Sequence, residues 1–332
     1  MRFLICPGMA RSGTTFLWQQ LSGNKDIFNI SKDQELRYLG KERVTFKGYM
    51  TRFHTTDPSK IFLDVSPIYL FKSPTVVENM KNILRGHEVR FILHVRSPME
   101  HAYSLYLHQI RETISRHGHM RPGLVGKGRF EAGSVNQYIF DRPSYFLKRP
   151  LRIVEFVEGA IRNFGRESLA FVDFNREFGT DAPASKLEKL LNVRLKPFDY
   201  SQTTNRGGNQ LPAYIYGGEN GITFEAGDLV YSVEPRTMIL VAGRNSTKSW
   251  PNVEPQLAAQ IFNGAGLWTT YVPKQRVQEL FERHFEKPWQ RLSSLLDYDF
   301  LASVQHKDLV TYKTMPLTYV KNVAGIRIED DL

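Results

Sequence analysis

The chain has 332 residues, 41% of them hydrophobic, enough to bury a sizeable core in one large domain or two small ones. Its 44 Lys and Arg against 34 Asp and Glu leave a formal charge of +10, which favours anionic partners, and no run of five or six like charges marks a nucleic-acid-binding tail. A single cysteine, Cys6, excludes an intrachain disulfide and suits a reducing compartment; no apolar stretch approaches the ~20 residues of a membrane span and the first is too short for a secretory signal, so a soluble, cytoplasmic protein is expected.

Residues 2–6 (RFLIC) read as a short buried strand, with Cys6 as a small core residue rather than a nucleophile. PGMARSGTTF, Pro7 to Phe16, follows at once. Gly8, four residues, then Gly13 is the glycine spacing of a P-loop, but Thr14 stands where a nucleotide triphosphatase has Lys. Leu17 and Leu21 lie at helical spacing beyond it, and Ser22–Gly23–Asn24 ends the helix, so strand, loop and helix are predicted in that order. Residues 28–30 (FNI) and 60–66 (KIFLDVS) read as the next two strands. A helix is expected over roughly 74–85, with Pro74 in its first turn.

Residues 89–95 (VRFILHV) form the clearest strand, dense and β-branched, leading to Arg96-Ser97-Pro98. Ser97 is placed to cap a helix that Pro98 starts and that lasts to about residue 112. Residues 115–134 are glycine-rich and basic, a loop. A helix over roughly 145–164 and a strand at 169–174 complete the alternation. The expected fold class is α/β: three layers like those of P-loop NTPases, with a central, mostly parallel sheet covered on both faces. Residues from about 201 to 270, rich in Gly, Asn, Thr and aromatics, read as an irregular insertion late in what is otherwise one domain over 1–332. The last helix, 274–296, should be kinked or broken by Pro288.

A glycine loop between strand and helix turns backbone N–H groups toward an anion, and the helix N-terminus adds partial positive charge. Arg11 supplies the full charge that the absent Lys would have given, as a fork that can grip phosphate oxygens in pairs. Arg96, at the carboxyl end of a central strand, stands where ligands of open α/β sheets bind. Ser104 follows on the next helix.

GxxRSGTTxL near the start, followed about eighty residues later by strand-RSPxEHAYSxYL, resembles the PAPS-dependent sulfotransferases, enzymes that use 3′-phosphoadenosine 5′-phosphosulfate. The likeness is closer to the glycan and protein O-sulfotransferase type than to the cytosolic small-molecule type. It implies that Arg11, Ser12, Gly13, Thr14 and Thr15 cradle the 5′-phosphosulfate, that Arg96 and Ser104 hold the 3′-phosphate, and that PAP (3′,5′-ADP) is the product. A donor without a γ-phosphate needs neither a Walker lysine nor an obligatory magnesium, so no metal is expected. QELRYLG, residues 34–40, resembles the family's segment carrying the general base, which maps to Glu35; His54 is the rival base and Lys32 a candidate to assist the leaving group. DVSPIYL, residues 64–70, also resembles a family segment, and Ser144 and Tyr145 fall near the expected nucleotide. Gln34 stands where the family usually has Lys, Val65 where some N-sulfating members have one, and the late RKGxxG motif is absent.

The resemblance implies transfer of a sulfuryl group from PAPS to an acceptor hydroxyl. The aromatic, Asn- and Gly-rich insertion points to a saccharide acceptor; a small-molecule or tyrosine hydroxyl is the alternative. Two other readings stay open: a P-loop kinase or NTPase with a degenerate Walker A loop, for which KIFLD resembles a Walker B strand ending in Asp64, and a nucleotide-binding module without catalysis. His94 reads as a hydrogen-bonded core histidine, and His117 and His119 lack further ligands at zinc spacing.

Overall fold

A computed structural model of the chain describes residues 1–105, 108, 148–202, 213–216, 222–226, 229–233, 238–242, 271–272, 274–307, 309–310 and 326–329. The basic loop at 115–134 with His117 and His119, the residues Ser144 and Tyr145, and most of the 201–270 insertion lie outside the described residues. The chain divides into two compact units. The first comprises Met1–Ala102, Pro143–Thr204 and Gln278–His306; the second comprises Tyr103–Arg142, Asn205–Val277 and Lys307–Leu332.

The first unit is built on a five-stranded parallel sheet. Its strands are β1 (Arg2–Cys6), β2 (Phe28–Ile30), β3 (Ile61–Val65), β4 (Glu88–Val95) and β5 (Leu169–Asp173), in the spatial order β2-β3-β1-β4-β5. β1 therefore sits centrally, with Ile5 level with Asp64 on one side and with Phe91 on the other. The chain leaves β1 toward one edge and reaches β5 at the other, so the strand order reverses around β1, and ligand crevices of open α/β sheets form at such a point.

Both faces of the sheet are covered, which is why its strands read as continuous apolar runs. Side chains alternate across a strand. Leu4 and Cys6 point to one face, where they pack with Leu17 and Leu21 of helix α1 (Thr14–Ser22) and with Leu187 and Leu191 of the helix Ala182–Leu191. Phe3 stacks on Phe62 at 5.0 Å, and Phe91 meets Phe156 and Phe164 at 5.6 and 5.2 Å. Phe156 and Phe164 belong to the long helix Lys148–Phe164, and a Cβ at its Gly159 would stand 3.1 Å from Val77 of the helix Ser73–Ile83, so the two helices pack closely there.

The last helical segment is two helices, Lys274–His284 and Glu286–Leu296. The break precedes Pro288 because its ring has no N–H to give and would crowd the carbonyl four residues earlier, that of His284. Short elements absent from the sequence reading are helix Phe46–Met50 and the helical turn Phe174–Glu177. Each is one turn, too short for its hydrophobic period to show.

In the second unit, strands Ile222–Ala226 and Leu229–Val233 form an antiparallel hairpin, and Ile326–Glu329 adds to it as a third strand. Ala213–Tyr216 pairs antiparallel with Met238–Ala242, and Tyr271–Val272 with Leu309–Val310. No helix among the described residues is long and apolar enough to cross a membrane.

Candidate functional site

The glycine loop is held from both neighbouring strands. The Ser66 amide donates to the Cys6 carbonyl at 3.0 Å, and the Leu70 amide to that of Pro7 at 3.3 Å. On the β4 side, Met9 N–H donates to the His94 carbonyl at 2.8 Å and His94 N–H to that of Gly8 at 3.1 Å. The His94 ring is wholly buried and donates from Nδ1 to the Ser12 carbonyl at 2.6 Å. Burial pushes its pKa down to about 4, so it stays neutral and acts as a core brace under the loop.

Three residues of the loop have positive φ, Gly8 at 122°, Arg11 at 63° and Gly13 at 80°. At Gly13 glycine is required twice over, because a Cβ would also lie 2.4 Å from Phe178 Cε2. The turn delivers α1 with its N-terminus toward the loop and no side-chain cap. The amides of Thr14, Thr15 and Phe16 meet no acceptor among the described residues, and the buried Ser12 hydroxyl also has none. Unsatisfied first-turn amides at a positive helix end constitute an anion-binding arrangement.

Arg96 follows β4 directly. Its Nη1 donates to the Arg11 carbonyl at 2.8 Å, its guanidinium lies 4.9 Å over the Phe174 ring, and its Nε stands 3.8 Å from Glu100. Nη2 has no acceptor among the described residues. Burial lowers the guanidinium pKa, and the Glu100 carboxylate opposes that shift, so the cation is maintained. Asn175 completes the arrangement. Its Nδ2 donates to Glu100 at 2.5 Å and its Oδ1 accepts the Ser97 amide at 2.9 Å. The expectation that the Ser97 side chain caps the next helix is corrected here. Residues 98–105 are helical, but the Ser97 hydroxyl has no partner among the described residues, and Asn175 takes the Ser97 amide from the β5 side.

On the other flank of the loop, Gln34 Nε2 donates to Thr15 Oγ1 at 2.9 Å, tying the Glu35 segment to the first turn of α1. Glu35 is partly exposed and pairs with Arg37, whose Nη2 is 2.7 Å away. The Arg37 amide donates to Ser66 Oγ at 3.2 Å. Ser66 Oγ in turn donates to Asp64 at 2.6 Å, joined there by the hydroxyls of Tyr69 at 2.8 Å and Tyr49 at 3.0 Å. Asp64 is fully buried, and burial raises its pKa to about 6, with the nearby Glu35 charge pushing the same way and the three hydroxyls opposing. The acid that sequence likeness compared with a Walker B residue is thus engaged by three hydroxyl donors inside the core.

Residues 30–32 and 52–54 run antiparallel beside this segment. Ser31 bridges Phe53, the Lys32 amide donates to the Arg52 carbonyl at 2.8 Å, and the His54 amide to that of Ile30 at 3.0 Å. Lys32 and His54 are both exposed, and Lys32 Nζ donates to the Thr51 carbonyl at 2.9 Å. Arg11, Ser12, Gly13, Thr14 and Thr15 are therefore gathered in one loop, with Arg96 joined to it on one side and Gln34–Glu35 on the other. Ser104 is half-buried on its helix and falls in the second unit. Phe174, Asn175 and Phe178 were not singled out from sequence: they follow β5 without a recognisable motif, and only the fold brings them to the loop. Among the described residues, no three of His, Cys, Asp and Glu gather as a metal site.

A scan against protein-family models finds no match, and a search of curated proteins finds none either. Among solved structures, the chain is similar to a sulfotransferase from Alicyclobacillus acidocaldarius, at 17% identity over 91% of this chain and 98% of that one, with a TM-score of 0.49. It is also similar to the sulfotransferase domain from the curacin biosynthetic pathway, at 18% identity over 59% of this chain and 75% of that one, with a TM-score of 0.35. Likeness at these TM-scores assigns neither fold nor function to this chain.

Proposed function

We propose that the chain is a sulfotransferase that moves a sulfuryl group from PAPS to an acceptor hydroxyl. The observation that carries this reading is the bond from Arg96 to the Arg11 carbonyl, because it unites two motifs more than eighty residues apart at the carboxyl ends of β1 and β4. The loop offers unsatisfied amides and the Ser12 hydroxyl to one phosphate. Arg96 keeps Nη2 for a second anionic group, the need of a nucleotide phosphorylated at both ends. Thr14 at the lysine position gives nothing to reach a γ-phosphate, which disfavours the kinase or NTPase reading.

In this reading Glu35 accepts the proton of the acceptor hydroxyl. The acceptor oxygen then bonds to sulfur as the bond from sulfur to the 5′-phosphate oxygen breaks, and the electron pair stays with the phosphate. Arg11 and the loop amides stabilise that developing charge. Lys32 is the candidate to assist the leaving group, and His54 is the rival base. The Tyr-, Trp-, Asn- and Gly-rich composition of 201–270 supports a saccharide hydroxyl as acceptor.

The test is calorimetric binding of 3′,5′-ADP against ADP and ATP, with and without magnesium. The bisphosphate should bind more than tenfold tighter than ADP, ~1.4 kcal/mol or more, without magnesium, and Arg96→Ala should erase the difference. Equal affinity for ADP, or binding that requires magnesium and prefers ATP, would overturn the assignment.

A further inference from the structure

Asp64, in β3, is a fully buried carboxylate that the transfer step does not use. Ser66 Oγ donates to its Oδ1 at 2.6 Å, and the hydroxyls of Tyr69 and Tyr49 donate to its Oδ2 at 2.8 and 3.0 Å. An ionised carboxylate only accepts, so it takes the single hydrogen of each hydroxyl and leaves the hydroxyl lone pairs turned away from it. Two of the three hydroxyls use those lone pairs on one short segment. The Arg37 amide donates to Ser66 Oγ at 3.2 Å, and the Leu39 amide donates to the Tyr69 hydroxyl at 3.3 Å. Tyr49 takes no amide of that segment among the described residues.

The segment in question carries Glu35. Residues 35–37 belong to neither helix nor strand, so no ladder of their own fixes that carboxylate. Anchors stand on both sides of it instead: Gln34 is bonded to Thr15 at 2.9 Å, Arg37 to Ser66, and Leu36 and Leu39 are buried. Arg37 has left-handed backbone, φ 54°, which is uncommon for a residue with a side chain. Its guanidinium is also the group that meets Glu35 at 2.7 Å. The Ser66 hydroxyl therefore holds the backbone of the residue that steers Glu35. The two carboxylates are close enough that the Glu35 charge adds to the burial that raises the Asp64 pKa.

We propose that Asp64 is a positioning residue for Glu35: it orients the Ser66 and Tyr69 hydroxyls so that they hold the backbone at Arg37 and Leu39, and so fixes the carboxylate that takes the acceptor proton. The proposal rests on the sulfotransferase reading for the task of Glu35, but the pinning of residues 37–39 does not depend on it. Asparagine at position 64 does not serve the same end. Its amide nitrogen would donate toward one of the hydroxyls, and the hydrogen of that buried hydroxyl would lose its acceptor. Tyr49 provides the internal comparison, because its hydroxyl serves the same carboxylate without holding the segment.

The test is amide hydrogen exchange and turnover in the full chain, read on matched variants. Tyr69→Phe should speed exchange at Leu39 about tenfold or more relative to the β3 amides, Ser66→Ala should do so at Arg37, and Asp64→Asn at one or both. Tyr49→Phe should leave both sites within about twofold of wild type. Turnover is read as 3′,5′-ADP released from PAPS with 4-nitrophenyl β-galactoside present, which counts transfer to sugar and to water alike. Asp64→Asn, Tyr69→Phe and Ser66→Ala should each lower kcat about fivefold or more with 3′,5′-ADP affinity within about twofold, and Ser66→Thr, which keeps the hydroxyl, should retain most of the rate. In a Glu35→Gln background, Tyr69→Phe should change kcat no further, because the two act as one unit. Unchanged exchange in Asp64→Asn, equal loosening in Tyr49→Phe and Tyr69→Phe, or a loosened segment with unchanged kcat overturns the proposal. No release of 3′,5′-ADP by wild type, or release undiminished in Glu35→Gln, would remove the base assignment instead, and the exchange pattern alone would then decide whether Asp64 pins residues 37–39.

Discussion

Arg96 Nη1 donates to the Arg11 carbonyl at 2.8 Å, so the residue that closes β4 holds the apex of the loop that follows β1. Arg11 sits at φ 63°, a conformation that costs a non-glycine residue roughly 1–2 kcal/mol. The bond engages that carbonyl with one nitrogen of the guanidinium. Arg96→Lys keeps a charge but not the fork. It should weaken 3′,5′-ADP binding about tenfold, ~1.4 kcal/mol, and cost little in melting temperature. Undiminished affinity in Arg96→Lys would show that a single point charge suffices.

Gly13→Ala should abolish nucleotide binding and lower stability by about 2–4 kcal/mol, from left-handed strain and a clash with Phe178 together. Combining it with Phe178→Leu should recover the clash part only, leaving the backbone part. Full recovery of melting temperature in the double variant would mean that φ 80° imposes no cost there.

Glu35→Gln should reduce sulfuryl transfer by at least a hundredfold with unaltered 3′,5′-ADP affinity, the range typical of a positioned general base. His54→Ala should leave the rate within a few-fold. The reverse pattern would move the base to His54.

Asp64 provides a pH signature. Burial lifts its pKa from 3.8 to about 6, so between those values the folded chain binds a proton that the unfolded chain has released. Stability from this group therefore falls as pH rises through that window and levels off above it, by a total on the order of 3 kcal/mol. Asp64→Asn lacks the titration. Denaturant unfolding at a series of pH values should show wild type losing stability relative to Asp64→Asn from pH 4 to pH 7. A flat difference would mean that the three hydroxyls fully compensate burial.

Cys6 is fully buried, and burial pushes its thiol up to about 12. Alkylation by iodoacetamide at pH 8 should proceed only as fast as the core opens, and should accelerate with denaturant. Labelling at the rate of a free thiol in native buffer would contradict the packing of β1.

The five strands were legible because each is a short, dense apolar run bounded by polar residues, and burial on both faces demands such a run. Ser97 was misread for the opposite reason. Its pattern, Ser before Pro at a helix start, is a local signal, but the Ser97 hydroxyl is buried without a partner among the described residues, while Asn175, in the turn after β5, accepts the Ser97 amide. Phe178 carries no signal at all, since its importance consists in occupying the space above a glycine 165 positions away. Gln34 looked like a departure from a motif, and the structure gives it a bond to Thr15 instead.

The sequence by itself determined the strand–loop–helix, the glycine spacing of the loop and the chemical kinds of the candidate groups, because turn chemistry and hydrophobic periodicity act over a few residues. Only the tertiary structure decided which of those groups meet. Arg96 with Arg11 and Gln34 with Thr15 are neighbours because parallel strands bring their carboxyl ends to the same end of the sheet after long crossovers, and no local pattern records where a crossover lands.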